Sequence, residues 1–400
     1  MMKKILIVIH DMRIGGAQKS LLSFLECLEG HENRGEYEIH LLPLKSEGEF
    51  LSQLPASVML EKPGHALCWM SMALSPKLLK DHFSLRGMLG EGLWLIRKAL
   101  KFFPKGLNDI QKLWRNWQRI IPAHREAYDV AVAYLDGTSS YYVMDKVQAE
   151  KKVLWLHSDY QKQGYDAAFD APYYAGCSCA VTVSEECRAT LRRAHPAQAE
   201  KMQVLENISS AALVMHRSQE RPCDEFVGYS GLKLVTVGRL HEQKGIDLAV
   251  EAARVLKELG TEFRWLAVGE GSERARLEML ISRYGLDDRF ILVGAQENPY
   301  TFMRACDILV QPSRVEGKSI VLDEAKMLCK PIVVTRYPTV GDSILHGETG
   351  WVTDMTGPAL AEGILHMHKK AGLREAIVSR LEQLPKGNES LVDEYIRVMF

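Results

Sequence analysis

Ile5-Leu6-Ile7-Val8-Ile9 is an unbroken apolar run of β-branched and leucine residues. A run without alternation reads as a strand buried on both faces, as strands of parallel sheets are. Gly15-Gly16 follow, and then Leu21, Leu22, Leu25 and Leu28 recur at helical spacing from Ser20 to Leu28. Strand, glycine loop and helix together make a βα opening. A parallel strand must be reached through a crossover, so this opening commits the chain to an α/β architecture. Further strands are expected at Ile39–Leu42, Val130–Tyr134, Val153–Leu156 and Ala180–Val183.

The same opening recurs at Leu232–Val237, followed by a Gly/Arg/Lys loop and a helix from Asp247 to about Leu259. Trp265–Val268 ends at Gly269-Glu270-Gly271, and Ser272 is expected to cap a helix that Gly285 closes. Ile291–Val293, Ile308–Val310 and Ile332–Val334 continue the series. Two separate series predict two doubly wound domains rather than one large sheet. Four hundred residues suit two or three domains. The join is expected near the polar stretch His216–Glu225, which holds Pro222, giving domains 1–222 and 223–400. Ser390–Phe400 reads as a helix that patterning assigns to neither domain.

Composition narrows the function. The chain is 46% hydrophobic and 25% charged, with a net charge of -1, which excludes a disordered chain and gives no basic excess for nucleic acid. Its eight cysteines include no CxxC pair, so no zinc ribbon is expected, and Cys177-Ser178-Cys179 reads as plain buried thiols. The first apolar run stops at His10-Asp11, too short for a secretory signal, and no 18-residue apolar span occurs. A reduced, cytoplasmic protein is the expectation. Residues 76–125 stand apart: eleven basic residues face three acidic ones, interleaved with Trp94, Phe102, Phe103, Trp114 and Trp117. Such a segment can rest on an anionic membrane face, or it can pack on its domain and show solvent a basic side.

The chemistry-bearing motifs lie between 238 and 350. Arg239 and Lys244, in Gly238-Arg239-Leu240-His241-Glu242-Gln243-Lys244-Gly245, can both turn toward one diphosphate. The plainer reading is a solvated surface loop. Pro312-Ser313-Arg314-Val315-Glu316-Gly317-Lys318-Ser319 leads into a helix at Ile320, where the N–H groups of Lys318, Ser319 and Ile320 offer an anion site. Glu316 precedes that site and Glu324 follows one turn into the helix. Carboxylates suit vicinal hydroxyls because each oxygen accepts a hydrogen bond. The plainer readings are an exposed helix residue for Glu324 and a helix-dipole partner for Glu316. Gly15-Gly16 lacks the Gly-x-Gly-x-x-Gly pattern, which disfavours a nicotinamide dehydrogenase. His366 and His368 point in different directions on a helix and do not make a metal site.

In order and spacing, Gly238-Arg239-Leu240, Lys244-Gly245, Gly269-Glu270-Gly271, Pro312-Ser313, Glu316-x7-Glu324 and Gly347-Glu348-Thr349-Gly350 resemble the retaining family 4 glycosyltransferases. The N-terminal half is similar more loosely, through Gly15-Gly16-Ala17-Gln18 and His157. The resemblance implies a GT-B fold, with two Rossmann-like domains facing a central cleft, the first for the acceptor and the second for a nucleotide-sugar, expected to be UDP-linked. That fold allows the last helix to return to the N-terminal domain. It implies that Arg239 and Lys244 hold the diphosphate and that Glu324 holds the ribose. Glu316, with Lys318, Ser319 and Ile320, would contact the transferred sugar. His157, Gly15 and Gly16 would approach from the N-terminal domain, and Gly269 would border the donor.

The implied enzyme is a hexosyltransferase acting on a polysaccharide or lipid-linked glycan at the cytoplasmic membrane face. No cofactor and no metal are expected, since no Asp-x-Asp occurs. A non-catalytic nucleotide-sugar-binding scaffold and a GT-B nucleotide-sugar epimerase are the alternatives. The sequence departs from the family at Lys318, at Cys329-Lys330 and at Thr339-Val340-Gly341-Asp342, which leaves sugar and nucleotide open.

Overall fold

The computed structural model describes residues 2–71, 84–99, 106–316 and 319–399, with 97–99 described in backbone only. The chain divides into two compact units, Met1–Ile208 with Ser390–Phe400, and Ser209–Glu389.

The first unit holds a seven-stranded parallel sheet in the order β3-β2-β1-β4-β5-β6-β7. Its strands are β1 (Lys3–Ile9), β2 (Tyr37–Pro43), β3 (Met59–Leu60), β4 (Ala127–Ala133), β5 (Gln148–Leu156), β6 (Cys179–Thr182) and β7 (Met202–Val204). Each expected apolar run is a strand, and Ile5, Ile7 and Ile9 pack on one face while Leu6 and Val8 pack on the other. β3 and β7 escape the sequence reading because two or three residues carry no periodicity.

Residues 109–117 form a helix whose Asn108 cap and Gln111 bond reciprocally, a capping box. Trp114 and Trp117 on it are fully buried. Its Gln111 also donates to the buried Asp170 at 2.8 Å, and the hydroxyls of Tyr141 and Tyr160 reach the same carboxylate at 2.8 Å each. Burial pushes the Asp170 carboxyl up, and the three donors counter it. Two of the five aromatics that could have served a membrane are therefore core. Trp94 is half-buried, and Phe102 and Phe103 lie outside the described residues.

The second unit holds a six-stranded parallel sheet, β10-β9-β8-β11-β12-β13. Its strands are β8 (Leu232–Val237), β9 (Phe263–Val268), β10 (Phe290–Gly294), β11 (Ile308–Gln311), β12 (Ile332–Thr335) and β13 (Trp351–Thr353). Counted within the unit this is 3-2-1-4-5-6, the doubly wound order, whose direction reverses between β8 and β11.

The units part at 208/209, earlier than the expected 222/223. The reason is the helix Ala211–Arg217, whose Val214 packs in the second unit's core beside Phe302 and Leu322. The last helix, Val392–Met399, returns to the first unit. Its Tyr395 ring lies 4.6 Å from Trp155, and the hydroxyl donates to the Glu206 carbonyl at 2.9 Å. Ser272 does not cap its helix, which spans Arg274–Arg283 with Glu273 in the cap position and no side-chain bond there.

Candidate active site

In a doubly wound sheet, ligands bind beyond the carboxyl ends of the strands where the order reverses. In the second unit that point lies between the loop after β8 and the loop after β11. The two loops carry Arg239, Lys244 and Glu316.

Lys244 reaches across to Glu316, with Nζ 2.7 and 2.9 Å from the two carboxylate oxygens. Glu316 Oε1 also accepts from Gln311 Nε2 at 2.7 Å and from Ser313 Oγ at 2.6 Å. The Glu316 side chain is 9% exposed and that of Lys244 22%. The main chain is fixed as well, since Thr339 Oγ1 donates to the Glu316 carbonyl at 2.9 Å. Thus the residue expected to meet the sugar and one expected to meet the diphosphate hold each other. Arg239 differs. It is exposed, and no group among the described residues engages its guanidinium.

Glu324 lies on the helix Ile320–Met327 and is 1% exposed. That overturns the plain reading of an exposed helix residue. Its Oε1 accepts from the Tyr300 hydroxyl at 3.1 Å. Ser319 stands in the cap position of that helix with no capping bond, and its hydroxyl lies 3.1 Å from Gln311 Nε2. Ile320 is buried, and Lys318 lies outside the described residues. Gly269 has a steric role: at φ 151° its α-carbon abuts the Gly238 carbonyl, so a side chain there would displace the loop that carries Arg239.

The sequence reading missed several groups. Tyr300 supports Glu324, and Gln311 anchors Glu316. Tyr337 is 2% exposed, and its hydroxyl has no partner among the described residues. Burial, with the Glu316 charge second, pushes that phenol up. No motif spacing marks these residues. A glutamine at the last position of β11, after three buried apolar residues, was the one visible signal.

His157, Gly15 and Gly16 belong to the first unit. His157 follows β5 and its ring lies 5.0 Å from that of Tyr134. The residue is half-buried, but both ring nitrogens are shielded from solvent and neither has a partner among the described residues. Desolvation pushes its pKa down to about 3, so the ring is neutral. A buried imidazole with both nitrogens unused has unmet hydrogen-bonding capacity. Gly15 is extended in the cap position of the helix Gly16–Glu29, after β1.

Comparison with known proteins agrees with this fold. Residues 230–383 match the family described as Glycosyl transferases group 1. An Alpha-D-kanosaminyltransferase of Streptomyces kanamyceticus is 25% identical over 336 residues, 79% of this chain and 83% of that one. The Amylovoran biosynthesis glycosyltransferase AmsK of Erwinia amylovora is 33% identical over 129 residues, 30% of this chain and 32% of that one. The fold matches the crystal structure of Anabaena Alr3699/HepE in complex with UDP and glucose, at TM-score 0.69 and 17% identity over 99% of this chain and 98% of that one. The protein is a glycosyltransferase of GT-B fold. Its residues 230–383 form a glycosyl transferases group 1 domain.

Proposed function

We propose that the enzyme moves a hexose from a nucleoside diphosphate sugar, UDP-linked, to a glycan or lipid-linked acceptor, with retention of configuration. The observation that carries this reading is the arrangement at the second unit's switch point. Among the described residues nothing engages Arg239, and Lys244 and Glu316 face each other across the two loops. Arg239 and Lys244 supply two cations for the diphosphate. Glu316 and the Tyr300-supported Glu324 supply carboxylates for sugar and ribose hydroxyls. Ser319 and Ile320 border the sugar. The HepE structure, solved with UDP and glucose, supports the choice of nucleotide. The relative named for amylovoran biosynthesis supports a polysaccharide acceptor.

In this reading the bond from anomeric carbon to phosphate oxygen breaks as the acceptor hydroxyl attacks the same face. The acceptor's proton passes to the departing phosphate oxygen. Negative charge grows on the diphosphate, and two cations placed where it grows lower the barrier. Charge neutralisation rests on Arg239 and Lys244 in this scheme, with no metal assigned a step.

The membrane face enters through the helix Leu85–Ala99. No described helix is long and apolar enough to cross a bilayer. Yet Leu85, Met88, Leu89 and Ile96 are exposed along one side of this helix, Leu85 at 72% and Leu89 at 65%. Gly87 and Gly90 seat the opposite side against Trp69 and Trp117. An apolar row within a segment of net positive charge suits the cytoplasmic face of an anionic membrane.

The test is a thermal-shift and turnover panel with UDP, GDP, ADP and CMP and their common sugar conjugates. A ligand at 100 times its Kd adds about 2.7 kcal/mol of native-state stability. A shift with UDP, and release of UDP from one UDP-sugar, is the expected result. Binding without release would make the protein a scaffold, and no shift with any nucleotide would refute the donor site.

A further inference from the structure

Arg314 lies between Ser313 and Glu316 in the donor loop, but its side chain leaves the pocket those two residues share. Its Nη1 and Nη2 grip both oxygens of Asp247, at 2.8 and 2.9 Å. Nη1 also donates to the Glu242 carbonyl at 2.9 Å, and the Arg314 backbone N–H donates to the Gln243 carbonyl at 2.8 Å. Asp247 stands in the first turn of the helix Ile246–Glu258, where a carboxylate is also favoured by the helix dipole. Gly245, at φ 62°, lies between these ties with its α-carbon against the Pro312 carbonyl. Residues 242, 243, 245 and 247 are therefore each tied or packed against 312–314. Lys244 sits in the middle of that set with no such tie of its own except to Glu316.

We propose that Arg314 is a positioning residue: its fork on Asp247 and its bonds to 242–243 set where Lys244 stands relative to Glu316. The proposal rests on the donor reading of that pair. If a diphosphate draws Lys244 away from Glu316, that ion pair no longer aligns the loops. The Arg314–Asp247 strut remains and keeps the cation in place for the leaving group. A planar guanidinium can hold a carboxylate and a carbonyl together, whereas an ammonium is a single point of charge, so lysine cannot replace it. The bidentate grip keeps the Asp247 carboxyl below the usual range, although burial alone would raise it.

The experiment compares Arg314→Ala, Arg314→Lys, Asp247→Asn and the double variant Arg314→Ala/Asp247→Asn with the full-length protein. Kd for UDP, KM for the UDP-sugar, kcat and Tm are measured for each. A displaced contact costs on the order of 10- to 100-fold in kcat/KM. Each single variant is expected to raise Kd for UDP and donor KM about tenfold. The double variant is expected to match the worse single one, because both remove one strut. Arg276→Ala, whose exposed guanidinium touches Asp247 only at 3.5 Å, serves as the control and is expected to leave KM unchanged.

Unchanged Kd and KM with a lowered Tm would overturn the proposal, because the strut would then only stabilise the fold. Losses that add in the double variant would overturn it too, as would full affinity in Arg314→Lys. Should Arg314→Ala fail to fold, Arg314→Lys and Asp247→Asn carry the test. A wild-type protein that binds none of UDP, GDP, ADP or CMP refutes the donor reading itself. Normal wild-type binding with unaffected variants refutes the strut alone.

Discussion

Lys244→Met and Glu316→Gln, made singly and together, separate what the ion pair does for stability from what it does for chemistry. Removing one partner of a buried pair costs about 3–5 kcal/mol. Here the loss is smaller, because Lys244 is about a fifth exposed and Gln311 and Ser313 still donate to Glu316. About 2 kcal/mol is expected for Lys244→Met, which in a unit of this size is a melting shift of about 4–8 °C. Glu316→Gln leaves an ammonium that can still reach water, so its cost is about half as large. The double variant replaces both charges with neutral side chains of similar shape, and such replacements are close to neutral. Its Tm is expected within about 2 °C of wild type. Activity should behave differently. If Lys244 meets the leaving diphosphate, each single variant loses on the order of 10²–10³ in single-turnover release of UDP. The double variant recovers none of that loss. Scanning calorimetry without ligand and rapid-quench measurement of UDP release read the two effects. Recovery of rate in the double variant would refute the reasoning, since the pair would then be structural. So would a Lys244→Met rate within about threefold of wild type.

Three further outcomes are expected. Cys329 is the one described non-glycine residue with positive φ, at 50°, and ends its helix where the N–H of Lys330 bonds the Ala325 carbonyl and that of Cys329 bonds the Lys326 carbonyl. That is a Schellman turn, which favours glycine, so Cys329→Gly should raise stability by about 0.5–1 kcal/mol in urea melts, and a loss would refute the strain assignment. His157 has a folded pKa near 3 against an ordinary 6.5, so its contribution is complete above about pH 6.5 and is lost as pH falls toward 3. By pH 5 that loss is about 2 kcal/mol, and His157→Phe should flatten the slope; identical pH profiles would contradict the buried neutral ring. Leu85→Ser/Leu89→Ser/Ile96→Ser should cut sedimentation with anionic vesicles about tenfold at low salt, and equal sedimentation would remove the membrane surface.

The two sheets were legible because their strands are buried on both faces and show as continuous apolar runs. Leu232–Val237 is a strand with those limits, and Ile5–Ile9 lies within β1. The short edge pieces Met59–Leu60 and Met202–Val204 were not legible, since their pairing is decided by neighbours far away in sequence. The unit boundary was misplaced for the same reason. Polarity marked His216–Glu225, but Val214, one apolar residue ahead of it, already belongs to the second core. Likewise the sequence left Trp114 and Trp117 open between a membrane face and packing on their own domain. Their burial follows from long-range packing, with Trp114 Nε1 bonded to Asp145 at 2.9 Å.

The residues proposed to hold the donor stand out in the sequence for a different reason. Arg239, Lys244, Glu316 and Glu324 sit on the loops and helix that follow two strands, so the linear spacing preserves the geometry. What spacing cannot convey is their state. Among the described residues nothing pairs with Arg239, whereas Lys244 is already neutralised by Glu316. On the proposed reading, a diphosphate meets Arg239 at little cost but must compete with a carboxylate for Lys244. Freeing Lys244 takes the donor from Glu316 Oε2 while Gln311 and Ser313 still hold Oε1, and a sugar hydroxyl supplies a new one. A nucleotide-sugar can satisfy both halves of the broken pair, and a bare nucleotide only one. The intact donor is therefore favoured over the spent nucleotide by the contact that Glu316 makes only with the sugar, which is the preference product release requires.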